Sequence, residues 1–387
     1  MKTPTPRVSR RSLIKGSIAF AAYAFAQAPL SVFGFGEPEE GATPVAFLDP
    51  LPKNPNRPMV QWEELKSWVT PNEQVYVVSH YGTPVVDATK WKLELGGMIE
   101  KPKTFTLAEL QQRPFKESLA TLECGGNGAS KTFMGAVANV RWGGTPLAPL
   151  LKECGIKPRG IEVVFFGGDE KKEKVRDQEF DMRFSRSLSL SDAMQDKILL
   201  AWQMNGKPLT KEHGFPLRLV VPGWYGIAWV KWLSRIEVQD RRFMSKYMGR
   251  EYVTIRGEER DGHLLYRETS VSYMNVKSIV ARVFRLKDGT LRVLGAAWTD
   301  GTPLQSVELK IDDTAWQPVK LDERERSEYS WTFWSFDWKG AAPGEHTLVS
   351  RATDANGTVQ PAEDDPRIKL KKTYWEANQQ FPRKIKV

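Results

Sequence analysis

The chain has 387 residues, 41% hydrophobic and 27% charged, a globular composition long enough for two separate cores and unlike that of a disordered segment. Its formal charge of +9 falls to 9 − 5 = +4 once Lys2, Arg7, Arg10, Arg11 and Lys15 of the acid-free residues 1–26 are set aside. So mild an excess excludes a nucleic-acid surface as the leading reading, and fourteen Trp and eighteen Phe point instead to aromatic-rich cores or an aromatic cleft.

The N-terminus reads as a targeting segment. Ser9-Arg10-Arg11-Ser12-Leu13-Ile14-Lys15 precedes the moderately apolar residues 16–28, within which Ala24-Phe25-Ala26 is a small-x-small cleavage signal. The pattern predicts a twin-arginine signal peptide over 1–28 and a periplasmic mature protein. The apolar run is too short to favour a stable membrane span. Because the twin-arginine route exports folded proteins, it anticipates a cofactor inserted before export.

Residues 29–70 are rich in Pro and Gly and read as an extended lead-in wrapped over the surface. Residues 91–98 alternate like a strand, and 106–112 start a short helix with Thr106 and Glu109 as a capping box. Residues 117–123 form the strand that delivers Cys124, 137–142 are extended, and 146–154 have helical spacing that ends at Gly155. Residues 161–166 are a buried strand running into Gly167-Gly168-Asp169. A short helix over 188–194 with Ser191 as cap, a strand over 198–203 and a tight turn at Asn205-Gly206 follow. Strands over 217–221 and 230–238 complete a mixed α and β domain, which a charged, irregular stretch from 239 to about 271 closes.

From Ser278 the period changes to two. Five alternating segments, 278–286, 291–298, 306–311, 331–338 and 346–351, are separated by Asp288-Gly289, Asp300-Gly301, Asp312-Asp313 and Asn356-Gly357. Short antiparallel strands without a helical interlude read as an immunoglobulin-type β-sandwich. The fold class is therefore α+β, with a mixed domain over 71–270 and a sandwich over 271–387. Trp298, Trp316, Trp331, Trp334 and Trp338 are expected mostly in the sandwich core.

The chemistry centres on TLECGGNGAS, residues 121–130, where Cys124 follows a strand and glycines let the backbone approach a bulky ligand. A thiolate there is a nucleophile, a metal ligand or half of a disulfide with Cys154, the second cysteine. Cys154 also reads as a core thiol on the apolar face of its helix.

Four motifs in order, LECGGNG (122–128), RWGGTPLAPLL (141–151), MNGKPLTKEHGFPLRLVVPG (204–223) and WVKWLSRIEV (229–238), precede the sandwich. With them the chain resembles the sulfite oxidase family of molybdenum enzymes over nearly all of its length after the signal. The resemblance implies an exported molybdopterin oxidoreductase in which Cys124 is the thiolate ligand of molybdenum, the dithiolene of one pyranopterin and oxo or hydroxo groups being the others. It further implies that His213 and Arg218 hold the pterin and its phosphate, and that Trp229, Val230 and Lys231 add contacts. Ser79, His80 and Tyr81 match the segment that closes over the other end, and Asp169 follows FFGG where the family makes a further contact. Tyr252, in MGREYVTI, matches the active-site tyrosine; a core strand tyrosine is the alternative. Soft thiolate ligation with one protein ligand suits a centre that gains and loses oxygen.

Two departures bear on substrate. The family's sulfite oxidases place an arginine where this chain has Val78-Ser79, and arginines after CxGN where it has Gly128-Ala129-Ser130. Lys131, Arg186 and Arg256 are the cations able to compensate. The chain has no C-x-x-C-H haem attachment, and two cysteines cannot build a cysteine-ligated iron–sulfur cluster. Electrons therefore move through a separate partner: a c-type cytochrome for an oxidase of sulfite or a related sulfur compound, a quinol-linked membrane haem subunit for an S-oxide or N-oxide reductase. A non-enzymatic exported binding protein is the third reading. The sandwich resembles the family's dimerisation module, so a homodimer is expected.

Overall fold

The computed structural model describes residues 41–53, 58–322, 324 and 326–387. The predicted signal peptide and the start of the lead-in lie outside the described residues.

The first module contains two five-stranded sheets. One has the order β2-β1-β9-β5-β6, built from β1 (Lys92–Gly97), β2 (Lys103–Thr106), β5 (Glu162–Val175), β6 (Gln178–Ser189) and β9 (Arg235–Gln239). Only the β1–β9 pairing is parallel. The other has the antiparallel order β8-β7-β4-β3, built from β3 (Lys116–Glu123), β4 (Val137–Pro146), β7 (Leu199–Met204) and β8 (Arg218–Val220), with Lys207–Pro208 paired to β7. Between β2 and β3 lies α1 (Leu107–Gln111), started by the expected reciprocal box: the Thr106 amide donates to Glu109 Oε2 at 2.7 Å and the Glu109 amide to Thr106 Oγ1 at 3.3 Å. After β4, α2 (Leu147–Cys154) buries Leu147, Leu150, Leu151 and Cys154 and stops at Gly155, whose φ of 70° a side chain would disfavour.

Four local expectations fail for identifiable reasons. The strand of 161–166 continues to Val175 and returns as β6, a pairing hidden by the charged run 170–183, which is solvated rather than buried. The hairpin closes at Arg176-Asp177 with φ of 48° and 67°, a primed turn without the usual Asn-Gly signature. A register shift between Phe166 and Glu170 marks a bulge at Gly167-Gly168-Asp169. The stretch 239–271 is not irregular: it holds a short helix, Lys246–Gly249, and the hairpin of β10 (Val253–Arg260) and β11 (His263–Ser270), turned at Asp261-Gly262. Finally, Ser189 rather than Ser191 caps the helix Leu190–Ala193, accepting from the Asp192 amide at 3.1 Å. The strand expected over 230–238 begins only at Arg235, because Trp232 takes a φ of 49° and turns the chain.

The second module packs two antiparallel sheets. One runs Thr43–Pro44, β12 (Lys277–Arg285), β13 (Leu291–Trp298), β15 (Thr332–Trp338), Lys320–Leu321; the other runs Gln317–Pro318, β14 (Leu304–Ile311), β16 (Glu345–Asp354), β17 (Arg383–Lys386). Val280, Val283, Val293, Val307, Leu309, Leu348 and Ile385 form their shared core.

The lead-in corrects the surface expectation. Met59, Val60, Trp62, Leu65 and Trp68 are buried in the main core. Trp62 stacks on Trp298 of the sandwich at 5.9 Å, and Trp331 Nε1 donates to the Trp68 carbonyl at 2.9 Å. A Pro-rich stretch lacks regular structure, but its large side chains still follow the apolar driving force. The two modules are thus cemented by one aromatic wedge. The C-terminal segment also crosses back: Gly257 donates to the Leu370 carbonyl, Lys372 to the Ile255 carbonyl, and Glu376 to the Gly125 carbonyl at 2.7 Å.

Candidate active site

Cys124 stands at the end of β3 in a loop with little freedom. Its amide donates to the Ala136 carbonyl at 2.9 Å, and its carbonyl accepts from the Asn127 amide at 2.9 Å. Asn127 Oδ1 accepts from the Ala136 amide at 3.0 Å, while its Nδ2 donates to Glu123 Oε1 at 2.9 Å. The flanking glycines have a steric reason. A Cβ on Gly125 would stand 3.2 Å from Val271 and 3.4 Å from the Tyr252 ring; one on Gly126 would stand 3.5 Å from both Trp375 and Tyr374. Cys124 and Cys154 are both buried and share no disulfide, and burial raises the Cys154 thiol, as expected of a core group.

Cys124 opens onto a recess enclosing about 610 Å³ of empty space, open solvent at its mouth included. Ser79, His80, Asp169, His213, Arg218, Trp229, Lys231 and Tyr252 line the same recess. Nine of the eleven residues singled out in the sequence therefore converge. Tyr81 and Val230 stand behind the wall: Tyr81 packs edge-on to Tyr247 at 5.7 Å, and the Val230 carbonyl accepts from Leu219.

Around Tyr252 the recess is aromatic. The Tyr252 hydroxyl lies 3.2 Å from His80 Nε2, its ring stacks on Trp375 at 4.0 Å, and His80 stacks on Tyr247 at 4.5 Å and on Phe184 at 5.5 Å. Burial, then the neighbouring Cys124 sulfur, pushes the phenol far above its ordinary range, so it stays a proton donor at neutral pH. Burial, then the charges of Lys231 and Lys246, lowers His80 to about 4 and keeps its imidazole neutral. Tyr252 has a φ of 54°, unusual for an aromatic residue and held by the Val271 amide donating to its carbonyl at 2.8 Å.

Elsewhere the recess is polar and cationic. Arg218 donates to the carbonyls of His213 and Trp229, each at 3.1 Å, and lies over Trp142 at 4.7 Å; burial lowers it to about 10. Lys231 donates to Ser79 Oγ at 3.1 Å and to the Glu212 carbonyl at 2.9 Å, and burial followed by the Arg218 charge lowers it to about 7. His213 sits between Thr210 Oγ1 at 2.7 Å and the Val75 carbonyl at 3.2 Å; an Nε2–H donating to that carbonyl leaves Nδ1 to accept from Thr210. Burial, then Arg218, lowers His213 to about 4. The bulge delivers Asp169, which burial raises to about 6. Gly214, with a φ of 104°, allows Arg218 and Lys231 to approach: a Cβ there would stand 3.1 Å from each.

These residues suit a bound polar cofactor. Arg218 Nε and Asp169 Oδ1 are buried without a hydrogen-bond partner among the described residues. Such groups cost about 1–3 kcal/mol each when left unsatisfied. Arg218 and Lys231 are directly bonded to neutral groups only, as a site for phosphate requires. Among the described residues no three His, Cys, Asp or Glu side chains cluster to hold a metal, so a metal beside Cys124 would be carried in by a ligand that is not protein.

Several participants escaped the sequence reading. Phe184 lies on the unexpected strand β6; Tyr76, Glu212 and Trp232 also line the recess; Trp375 arrives from the far end of the chain. Trp232 had a signal, since it adjoins Lys231, whose ammonium sits 4.3 Å from its ring. Of the compensating cations, Lys131 is exposed and lies 3.8 Å from Asp49, and Arg256 pairs with Glu376 at 3.3 Å. Arg186 is buried, donating to the carbonyls of Tyr247 and Val271 and to Ser270 Oγ.

Cys124 thus stands in a sheet-borne loop beside a recess with buried cations, and residues 80–247 match the oxidoreductase molybdopterin binding domain. The chain is 29% identical over 326 residues to mitochondrial sulfite oxidase of Drosophila melanogaster, covering 76% of this chain and 56% of that protein. It is 28% identical over 327 residues to the Homo sapiens enzyme, at 76% and 58%, and 28% identical over 332 residues to nitrate reductase [NADH] 2 of Phaseolus vulgaris, at 76% and 37%. The chain thus spans little more than half the length of the sulfite oxidases it matches. The crystal structure of the sulfane dehydrogenase SoxCD from Paracoccus pantotrophus superposes with a TM-score of 0.71 at 25% identity, covering 93% of this chain and 95% of that one. The chain is thus similar to the sulfite oxidase-like molybdenum enzymes, and its molybdopterin binding domain implies Mo-molybdopterin as the cofactor.

Proposed function

We propose that this protein is a periplasmic, molybdenum-dependent oxidoreductase that transfers a water-derived oxygen atom to sulfite or a related small sulfur compound. The observation that carries the reading is that Cys124 and Tyr252 open onto the same recess as Arg218 and Lys231. For sulfite the balance is SO₃²⁻ + H₂O → SO₄²⁻ + 2H⁺ + 2e⁻.

Bound Mo-molybdopterin supplies the two-electron redox change and the oxygen-atom exchange. Cys124 would hold the metal, its loop braced by Asn127. Arg218 and Lys231 would hold the anionic end of the cofactor, with His213, Ser79 and Asp169 as further polar contacts in the same recess. Trp229, whose indole donates to the Trp224 carbonyl at 2.9 Å, and Val230 keep Arg218 in place, while Tyr81 supports the wall that carries His80. Tyr252 donates its hydroxyl proton in a hydrogen bond to the oxygen where charge develops, with neutral His80 orienting the phenol.

A separate c-type cytochrome accepts the two electrons one at a time. The twin-arginine segment of residues 9–15 supports periplasmic export, and no helix among the described residues is long and apolar enough to cross a membrane. The sandwich module supports a homodimer, which sedimentation of the mature protein tests. Protein exported in its native host should contain about one molybdenum per chain and reduce ferricyanide with sulfite or a related substrate. Absence of molybdenum, or its full retention in Cys124→Ala, refutes the reading. The aromatic surroundings of Tyr252 favour a second reading, reduction of S-oxides or N-oxides; oxidation of reduced viologen by methionine sulfoxide, with no sulfite turnover, selects it.

A further inference from the structure

The wall behind Tyr252 holds a buried charge. Arg186 lies on β6 two residues past Phe184, on the same strand face, and does not line the recess. Its guanidinium donates to the Tyr247 carbonyl, to the Val271 carbonyl at 2.6 Å and to Ser270 Oγ at 3.2 Å. Tyr247 belongs to the short helix before Tyr252, and Ser270 and Val271 end the hairpin after it. The Val271 amide in turn donates to the Tyr252 carbonyl at 2.8 Å. One side chain thereby ties together both flanks of a residue whose φ of 54° needs support from its surroundings.

The hydrogen-bond partners of Arg186 are all neutral, and its Nε is buried with none among the described residues. The acid whose charge reaches it, Glu376, is bonded to Arg256 at 3.3 Å. Lys246, on the helix that Arg186 grips, is matched by Glu173 at 2.6 Å, and His80 is held neutral. Among the described residues that hold the Tyr252 segment, Arg186 is therefore the unmatched positive charge. Burial keeps the phenol protonated, and the Arg186 charge acts on it in the opposite sense, favouring negative charge at that end of the recess. Such a field carries farther through a dry wall than through solvent. A buried guanidinium among neutral oxygens is stabilised when an anion comes within its reach.

We infer that Arg186 is a positioning residue that fixes Tyr252 and lends its hydroxyl a positive field, so that this end of the recess takes a small oxyanion. The inference rests on the oxygen transfer proposed above and narrows its substrate to an anion. Lys131, exposed and 3.8 Å from Asp49, and Arg256, paired with Glu376, leave this role to Arg186.

Equilibrium binding of sulfate and of dimethyl sulfone, its uncharged counterpart in shape, to the oxidised holoenzyme tests this without turnover. Sulfate should bind at least about tenfold tighter than the sulfone. Arg186→Gln, which keeps a donor but not the charge, should weaken sulfate at least about tenfold and the sulfone less than about twofold, while Arg186→Lys should stay within about threefold of wild type for sulfate. In a Tyr252→Phe background the Arg186→Gln effect on sulfate should shrink below about threefold, because the charge acts through the phenol. Molybdenum content should be unchanged throughout. A clamp without an electrostatic part would weaken both ligands alike and leave Arg186→Lys no better than Arg186→Gln; that result, or an undiminished Arg186→Gln effect in Tyr252→Phe, overturns the inference. So does wild-type protein that binds the sulfone as tightly as sulfate, a result that needs no variant to fold. Each of these leaves the molybdenum reading intact, whereas holoenzyme preparations without molybdenum overturn both.

Discussion

Lys277→Met should be among the most disruptive single substitutions in the protein, although position 277 lies outside the recess. Lys277 opens β12 and is buried, its ammonium bonded to Glu123 Oε1 and to the Asn127 carbonyl at 3.3 Å. Glu123 is fully buried and also accepts from Asn127 Nδ2 at 2.9 Å and from Trp298 Nε1 at 2.8 Å. One carboxylate thereby joins the residue before Cys124, the loop after it and two sandwich strands. Removing the ammonium strands a buried carboxylate between two neutral donors, at a cost of about 3–5 kcal/mol, or roughly two to four decades in the folded-to-unfolded ratio. Glu123→Gln added to Lys277→Met removes the stranded charge but keeps one acceptor oxygen of two, its NH2 facing either the Trp298 or the Asn127 N–H, so the double variant should recover only part of the loss, at least about 1 kcal/mol. Urea unfolding of the four proteins of this cycle measures both quantities. A Lys277→Met loss under about 1 kcal/mol, or a double variant no more stable than the single, would refute the reasoning.

Acid should loosen the apoprotein before it reaches the ordinary carboxylate range. His80 and His213, held near 4 against an ordinary 6.5, are neutral in the fold where the unfolded chain already binds protons, so stability is flat above about pH 6.5 and falls from there towards 4. Asp169, raised to about 6, acts oppositely, gaining stability as pH falls through 6, and recovers only part of the loss. A net drop on the order of 3 kcal/mol between pH 7 and pH 4 is expected in thermal melts; an unchanged midpoint over that range contradicts it. Gly125→Ala should cost about 1–3 kcal/mol and displace Tyr252, because the new methyl meets Val271 at 3.2 Å and the phenol ring at 3.4 Å; a crystal structure with the ring unmoved would count against this. Trp62→Ala should cost about 3–5 kcal/mol and split a single calorimetric transition into two, since Trp62 joins the two cores; one sharp transition in the variant would argue otherwise.

The two halves of the recess differ in how readily the sequence discloses them, and the difference has a physical origin. Cys124, His213, Arg218, Trp229 and Lys231 sit in short runs whose glycines and buried cations have local reasons, such as the approach of Arg218 and Lys231 past Gly214. Local reasons leave local patterns, and the cofactor class was readable only through the family resemblance that those patterns carry. Period two was equally readable in the sandwich, because half-buried strands alternate. Phe184 was not, because the outer part of its hairpin is a solvated ribbon whose pairing comes from backbone hydrogen bonds rather than from an apolar face. The Asp261-Gly262 turn was in plain sight, but the charges around it obscured the strands it joins. Trp375 had no signal at all: its position depends on the C-terminal segment running along β10 and docking on the Gly125 carbonyl, a long-range arrangement that no window of sequence encodes. The aromatic side of the recess is thus assembled from β6, the segment leading into β10 and the C-terminal segment, while the cationic side is built from contiguous motifs. The cationic side is therefore legible in short motifs, and the aromatic side only in tertiary contacts.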